Sequence, residues 1–426
     1  MIWFLSLINL SFVLILLRSA YKKPSILVFA LASSIVVFLV RPFAVLVYGS
    51  TIITESFYSE MNYELGLAVA TAFHITFYGA LILFYHKKYK SNNLRKVELI
   101  EVSNNSIILT LAMCILFLIG FLFVGGIDVL FVNRFTSISV VAPSLRYIYP
   151  FAVVFLCIGA MQGAILYSQN RVVLGIALLL FYLVASMILA QRGFFIIFVV
   201  VGVTLCLRVN RVSIKSYVSQ LFPFAFILMA AVSSKQFLVS FFSSEQSFFS
   251  AQNTSLSEKI LSSPDGDTTE VWMLATKFVN ENGYLFGSSV VNNIFNVFTH
   301  NQRREWGVMN GSDVLNGEYT GEGYWDLGFG FNVQLPIELY INFGIFGLIL
   351  ICFFGIILGM ALRQFDGRVI FQGRDPSWEV LRLYAIYTFC NSLAGLQWSL
   401  LFFAFYFVSR LRWRGDSSSK SIVNSS

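Results

Sequence analysis

Arg192 interrupts a long apolar stretch, and its side chain is the first candidate for binding chemistry in this chain. The surrounding sequence, ILAQRGFFIIF over residues 188–198, has a glycine after the arginine and is otherwise almost entirely hydrocarbon. A guanidinium group stays charged and binds phosphate or carboxylate oxygens through paired N–H donors. The alternative is a residue that stops a helix or reaches out to lipid phosphates. Which of these applies depends on where the fold places Arg192.

A second group of chemically capable residues precedes a later apolar run. The segment FTHNQRREWGVMNGSDVLNGEYTGEGYWDLGFGF, residues 298–331, combines glycines with ionisable and aromatic side chains. Glu322, Asp326 and His300 are the residue types that act as general bases toward a hydroxyl group. Glycine lets the backbone approach a ligand closely, and aromatic faces stack on sugars. The alternative interpretation is an ordinary interfacial loop that is rich in turns.

Composition predicts that membrane-spanning helices position these residues. Of 426 residues, 57% are apolar and 12% are charged, whereas soluble domains have about 25% charged residues. A helix needs about 20 apolar residues to cross the hydrocarbon core, and such runs occur from end to end. These runs differ from the short alternating strands of a membrane barrel. The predicted fold class is therefore an all-α polytopic membrane protein.

The distribution of basic residues predicts the orientation of about eleven spans. The predicted spans are 2–18, 25–48, 65–85, 105–124, 146–167, 172–190, 193–207, 218–240, 331–361, 379–395 and 398–410. Connections rich in Lys and Arg alternate with connections that are poor in them. The positive-inside rule then places the N-terminus outside and the C-terminus in the cytoplasm. The net charge of +7 reflects this orientation, and no nucleic-acid partner is expected.

The same charge count places Arg192 at the outer membrane surface. One helix over residues 172–207 would be about 54 Å long, whereas the hydrocarbon core is about 30 Å thick. Two short helices with a hairpin at residues 191–193 fit the bilayer better. The arginine is then expected at the depth of the lipid headgroups.

Four regions are predicted along the chain. Residues 1–240 form an N-terminal bundle of about eight helices, and residues 241–330 form one large external, periplasmic loop. Residues 331–410 contain the C-terminal spans. Residues 411–426 form a disordered cytoplasmic tail.

A helix is predicted inside the large loop. Asp267 and Glu270 resemble a capping box, and Gly283 is a typical helix stop. One helical face carries Val271, Leu274, Ala275 and Phe278. We expect this helix to lie on the membrane surface or to pack over the bundle.

The predicted span 331–361 carries a carboxylate and several glycines. Glu338 lies just inside the span, where an uncompensated charge is costly, so we expect it to pair with an arginine on the outer side. The glycines at 344, 347, 355 and 359, including GIILG, predict close helix packing and need no catalytic role.

The layout resembles the O-antigen polymerases, the Wzy-type oligosaccharide repeat-unit polymerases of bacterial membranes. The resemblance rests on many spans with one long external loop before the last few. It rests also on AQRGFF at 190–195 and on GEGYWDLGFGF leading into PIELYINFGIFGLIL at 336–350. The external-loop motifs that pair an arginine with a later glycine in some members are not reproduced around Arg303 or Arg304.

The resemblance implies a GT-C-like glycosyltransferase of the bacterial inner membrane. Such an enzyme moves a growing glycan from undecaprenyl diphosphate to a sugar hydroxyl of a second lipid-linked repeat unit. Its implied partners are these lipid-linked oligosaccharides, membrane lipids and a chain-length regulator. The reaction needs a counterion for the departing diphosphate and a base for the acceptor hydroxyl.

Residues of this chain can be assigned to those roles as expectations. The histidines are scattered without metal-ligand spacing, so we expect no metal or other cofactor and assign diphosphate binding to arginines. The candidate diphosphate-binding residues are Arg192, Arg41, Arg134, Arg146, Arg303 and Arg304. The candidate bases are Glu322, Asp326 and His300, with Glu338 next, and Asp326 is not ranked above Glu322.

Three other functions fit parts of the pattern. An O-antigen ligase shares the lipid-linked donor. A lipid-linked oligosaccharide flippase or another transporter would also be polytopic, although such proteins often contain internal repeats, which we do not find here. A structural membrane subunit would not need charged residues concentrated on the outer side.

Overall fold

A computed structural model describes much of the 426-residue chain. The described residues are 1–22, 60–86, 102–125, 148–169, 171–189, 268–299, 309–320, 333–367, 376–391 and 399–407, with single positions between 35 and 46 and between 195 and 205.

Helices make up the described structure. They are α1 (Ile2–Lys22), α2 (Glu60–His86), α3 (Asn104–Gly125), α4 (Ile148–Ser168), α5 (Val172–Ile188), α6 (Thr268–Asn282), α7 (Ser288–Thr299), α8 (Gly311–Thr320), α9 (Leu335–Phe343), α10 (Gly347–Gly367) and α11 (Pro376–Asn391). A 3-10 turn, Gly344–Phe346, joins α9 to α10, and residues 399–407 are also helical. The all-α prediction is confirmed for this part of the chain.

Several of these helices have the length and composition of membrane spans. Within the described ranges, four apolar segments are long enough to cross a bilayer: Tyr63–His86, Asn104–Val124, Phe151–Ser168 and Leu335–Phe365. Shorter apolar helices cover Ile2–Arg18, Val172–Ile188 and Val380–Cys390. Large apolar side chains on α3 are exposed, up to 88% for Phe123, as expected for lipid contact. The chain is therefore a polytopic membrane protein, while the total of about eleven spans stays a prediction.

The chain divides into two compact units. The first contains Met1–Lys90, Ser240–Gly367 and Cys390–Leu396, and the second contains Ser91–Val239, Arg368–Phe389 and Gln397–Ser426. The helices of the predicted external loop therefore share a unit with α1, α2 and α10. The four regions assigned from the sequence stay predictions.

In the first unit, α2 and α10 pack through glycines. A Cβ atom on Gly355 would lie 2.5 Å from the carbonyl oxygen of Phe77, and one on Gly359 would lie 2.6 Å from that of Leu81. The two backbones are thus close enough to exclude even a methyl group, which is the usual role of small residues between membrane helices. The packing predicted for GIILG is confirmed.

A buried polar contact joins α1 to α2. Asn9 Nδ2 donates to Thr71 Oγ1 at 2.9 Å, and Asn9 Oδ1 lies 2.8 Å from His74 Nδ1. An amide oxygen only accepts, so Nδ1 of His74 carries the hydrogen of that bond. Each such bond between membrane helices contributes about 1 kcal/mol. His74 therefore helps to hold the two helices together.

In the second unit, α5 ends at Ile188, four residues before Arg192 in the sequence. Leu189 N–H donates to Ala185 O at 2.9 Å, and the Tyr149 hydroxyl donates to Leu189 O at 2.9 Å. The tyrosine thereby satisfies a carbonyl that the end of a helix leaves without an internal partner. The helix ends just before the predicted hairpin at residues 191–193, and Arg192 itself lies outside the described residues.

Candidate functional site around Glu338

The helix predicted inside the large loop forms as α6 and is a core element of the first unit. All four residues of its predicted apolar face are buried, and so are Trp272 and Met273 on its other sides. The Trp272 ring packs against Phe73 of α2 and Tyr340 of α9, with centroid distances of 5.3 and 5.9 Å. Helix α6 therefore packs within the bundle and does not lie on the surface.

Gly283 ends α6 as its sequence predicts. It has φ +78°, and its N–H donates to Val279 O at 3.0 Å. This is the left-handed glycine that commonly closes a helix. The chain then turns and enters α7 at Ser288.

Helix α9 carries Glu338 and differs from the sequence prediction. A single span was predicted over 331–361, but the structure interrupts the helix at Gly344, where φ is +56° and ψ is −137°. A Cβ atom there would lie 2.6 Å from the Tyr284 ring. Both the positive φ and this close contact therefore require glycine at position 344. Helix α10, with 21 residues and about 31 Å, is long enough to cross a bilayer without α9.

Glu338 lies at the centre of a buried polar cluster. The residue is 3% exposed, and its Oε1 accepts hydrogen bonds from Ser289 Oγ at 2.5 Å, Asn293 Nδ2 at 3.0 Å and Gly311 N at 3.3 Å. Ser289 and Asn293 belong to α7, and Gly311 begins α8. Donors of this kind, together with the positive end of α8, stabilise a carboxylate that has been removed from water.

Asn342 extends the cluster from the other end of α9. Its Nδ2 donates to Ser289 Oγ at 2.7 Å, and its Oδ1 accepts from Gly287 N at 2.9 Å. Two backbone bonds accompany these contacts, from Leu285 N to Ile341 O and from Phe286 N to Asn342 O. The turn that precedes α7 is thereby fixed to the end of α9.

The start of α8 is fixed by a reciprocal cap. Asn310 Oδ1 accepts from Asp313 N at 2.8 Å, and Asp313 Oδ2 accepts from Asn310 N at 3.1 Å. This capping box satisfies two backbone donors at the helix start. Asn292 Nδ2 also donates to Met309 O at 2.6 Å, so α7 holds the residue just before the cap.

Gly311 allows Glu338 to reach the end of α8. A Cβ atom on Gly311 would overlap Glu338 Oε2 and would lie 2.7 Å from its Cδ. We therefore expect Gly311→Ala to displace the carboxylate and to destabilise the protein by about 1–3 kcal/mol, the range for forced overpacking. The measurement is thermal unfolding of the purified protein in detergent.

Gly317 supplies the matched control for that substitution on the same helix. Among the described residues, nothing lies within 4 Å of a Cβ atom at Gly317. Gly317→Ala should therefore leave the unfolding temperature unchanged or raise it, because alanine favours a helix more than glycine does. Equal effects of the two substitutions would mean that contact with Glu338 does not matter.

The cluster holds the helices that flank the loop candidates. Residues 300–308, with His300, Arg303 and Arg304, lie between α7 and the start of α8. Residues 321–332, with Glu322 and Asp326, connect α8 to α9. All five side chains lie outside the described residues.

The structure also leaves the other four arginines that were assigned to diphosphate binding untested. Arg41, Arg134, Arg146 and Arg192 lie outside the described ranges, so their grouping stays a prediction. The pairing of Glu338 with an outer arginine also stays a prediction. The partners that the structure describes for its carboxylate are the hydroxyl, amide and backbone donors above.

Sequence reasoning missed Ser289, Asn293 and Asn342. Their signal is weak, because short polar residues at helix ends usually serve as caps. Asn293 is notable in the structure: it is 2% exposed, and among the described residues its Oδ1 has no hydrogen-bond partner. A buried amide oxygen of this kind can accept a hydrogen bond from a hydroxyl group.

A carboxylate pair was also passed over in the sequence. Asp265 and Asp267 in PDGD have the spacing of a DxD motif, and both lie outside the described residues. Among the described residues, no group of three His, Cys, Asp or Glu side chains could hold a metal ion. The expectation of a metal-free site stays a prediction.

Fold and cluster together define a polytopic helical membrane protein with a buried carboxylate centre beside one of its spans. No family model matches the chain, and neither a curated protein nor a solved structure matches it.

Proposed function

We propose that this protein is an oligosaccharide repeat-unit polymerase of the O-antigen type. It transfers a growing glycan from undecaprenyl diphosphate to a sugar hydroxyl of a second lipid-linked unit. The bond between the anomeric carbon and the diphosphate breaks, and the diphosphate leaves with the electron pair. The acceptor oxygen forms the new glycosidic bond, and its proton passes to a base on the protein.

The observation that supports this proposal is the organisation around Glu338. One buried carboxylate joins α7, α8 and α9, and these helices flank both segments that carry the loop candidates. Glycosyl transfer requires donor, acceptor and base to be aligned, which is worth several kcal/mol of the barrier. Glu338 is therefore proposed as a positioning residue. Asn293 Oδ1 is a proposed acceptor for a sugar hydroxyl.

The remaining roles follow from the chemistry of the candidate side chains. Arg192, with Arg41, Arg134, Arg146, Arg303 and Arg304, is proposed to supply the positive charge that stabilises the departing diphosphate. Glu322, Asp326 or His300 is proposed as the base. The GT-C-like arrangement and the inner-membrane location, with a periplasmic N-terminus and a cytoplasmic C-terminus, belong to the same proposal.

The test is the surface glycan of cells that lack the protein. We expect wild-type complementation to restore long glycan ladders. Arg192→Ala, at matched membrane abundance, should leave a single repeat unit on the lipid core, because the diphosphate loses its principal counterion. Electrophoresis of the extracted glycolipid gives the measurement.

Arg171→Ala is the matched control. Arg171 precedes α5, makes no side-chain cap and lies in a predicted cytoplasmic connection. It should support normal ladders. If deletion leaves no repeat unit on the surface, the protein is a ligase or a flippase. If Arg192→Ala gives full ladders, Arg192 has no role in the transfer.

A further inference from the structure

Over residues 288–295, whose side chains the structure describes, α7 has its polar side inside and its apolar side outside. Ser289 and Asn293 are buried against Glu338, whereas Val291 and Ile294 are 49% and 48% exposed. Phe295 lies on the same exposed side. A surface helix in water has the opposite arrangement, with its apolar stripe toward the protein core. The exposed residues Val291, Ile294 and Phe295 are called the apolar stripe below.

Exposed apolar residues are also found in the turn before α7 and on α10. Phe286, which is 83% exposed, is bonded through its N–H to Asn342 O, close to the start of α10. Beyond that point the exposed residues Phe346, Ile349 and Phe353 follow at helical spacing along the predicted span. Exposed apolar residues are thus present on α10, at Phe286 and on α7, and the Phe286 bond fixes the turn before α7 to the end of α9.

Charge is absent from this part of the loop. Residues 282–299 contain no Asp, Glu, Lys or Arg. An uncharged apolar face of this kind inserts into the boundary between headgroups and acyl chains. We infer that α7 is an interfacial helix whose apolar stripe contacts the hydrocarbon of the bilayer, while its polar side holds Glu338.

The position of α7 at the bilayer interface determines how deep the polar cluster around Glu338 lies in the membrane. A helix with its side chains is about 10 Å across, so Glu338 lies about one helix diameter from the acyl chains that contact α7. The cluster is therefore held at the membrane surface by lipid on one side and by α8 and α9 on the other. The inference concerns lipid contact alone and does not depend on the proposed glycosyl transfer.

Photocrosslinking of the full chain tests the contact. The amino acid p-benzoylphenylalanine replaces Ile294 or, in a second variant, Val291, and the protein is reconstituted in nanodiscs of phosphatidylethanolamine and phosphatidylglycerol with radiolabelled acyl chains. We expect both positions to capture lipid to the same extent as Ile349, a lipid-facing residue of α10 that is 71% exposed.

Glu281 provides the aqueous control, since it is exposed at the end of α6 and faces Lys277 at 3.9 Å. The same probe there should capture several-fold less lipid than at Ile294. Lipid capture at Ile294 and Val291 no higher than at Glu281 would overturn the inference. Crosslinking to a second copy of the chain in place of lipid would overturn it as well and would identify a dimer interface.

Discussion

Glu338→Ala is expected to abolish the long glycan ladders and to lower the amount of folded protein. The substitution leaves three buried donors, on Ser289, Asn293 and Gly311, without their common acceptor. Each buried donor without a partner costs about 1–3 kcal/mol, so a total of about 3 kcal/mol or more is expected. The unfolding temperature in detergent and the ladder in cells measure the two effects.

Glu338→Gln separates the effect of the acceptor oxygen from the effect of the negative charge, because glutamine keeps the first and removes the second. Its amide oxygen can still accept from Ser289 and Asn293, while its amide nitrogen turns a donor toward the cluster. We expect its stability to lie between that of wild type and that of Glu338→Ala. At matched abundance, ladders from the glutamine variant should be shorter than those of wild type if the cluster positions the loop.

Glu281→Ala is the matched control for removal of a carboxylate. Glu281 is exposed and forms only a loose pair with Lys277, and such surface pairs contribute about 0–1 kcal/mol. Its ladder and unfolding temperature should be those of wild type. A Glu338→Ala protein with wild-type stability and full ladders would contradict the central place given to the cluster.

Replacement of Gly355 and Gly359 together by alanine is expected to separate α10 from α2. Each added methyl group would meet a backbone carbonyl of α2, at 2.5 Å for Phe77 and 2.6 Å for Leu81. Backbone atoms cannot rotate away as side chains do, so the whole helix must shift. Overpacking of this kind costs about 1–3 kcal/mol per site. Thermal unfolding followed by gel filtration measures the loss.

Gly79→Ala is the matched control, because it adds the same methyl group to α2 at a position without a close backbone contact. In the part of the chain that the structure describes, nothing lies within 4 Å of a Cβ atom at Gly79. This variant should be as stable as wild type or more stable, because alanine is the better helix former by about 1 kcal/mol. An unchanged unfolding temperature for the double variant would show that α2 and α10 are not held at this distance.

Local pattern was sufficient to predict much of the helical structure. The apolar face of α6, its end at Gly283 and the packing glycines of α10 all follow from spacing within a few residues. Such features depend on periodicity and on backbone freedom, which are properties of the local sequence. They were therefore visible without a structure.

The orientation of α7 could not be predicted in this way. Its sequence has one polar and one apolar side, and the ordinary expectation turns the apolar side inward. The orientation of α7 is determined by Glu338, which lies 45 residues beyond Asn293. The buried carboxylate of Glu338 requires hydrogen-bond donors, and the polar side of α7 supplies them. The interruption at Gly344 was missed for a related reason. Glycine in an apolar run fits close packing as well as a break, and the Tyr284 ring that fills the space is distant in sequence.

The hydroxyl of Ser289 fixes the order of donors and acceptors in the polar cluster. It accepts from Asn342 Nδ2 and has one hydrogen, which it donates to Glu338 Oε1. Three donors thus converge on Oε1, and the other oxygen of the carboxylate is Oε2. That oxygen faces Gly311, where an added methyl group would overlap it. The two oxygens of this carboxylate therefore lie in different surroundings, one against three hydrogen-bond donors and the other against the Gly311 backbone.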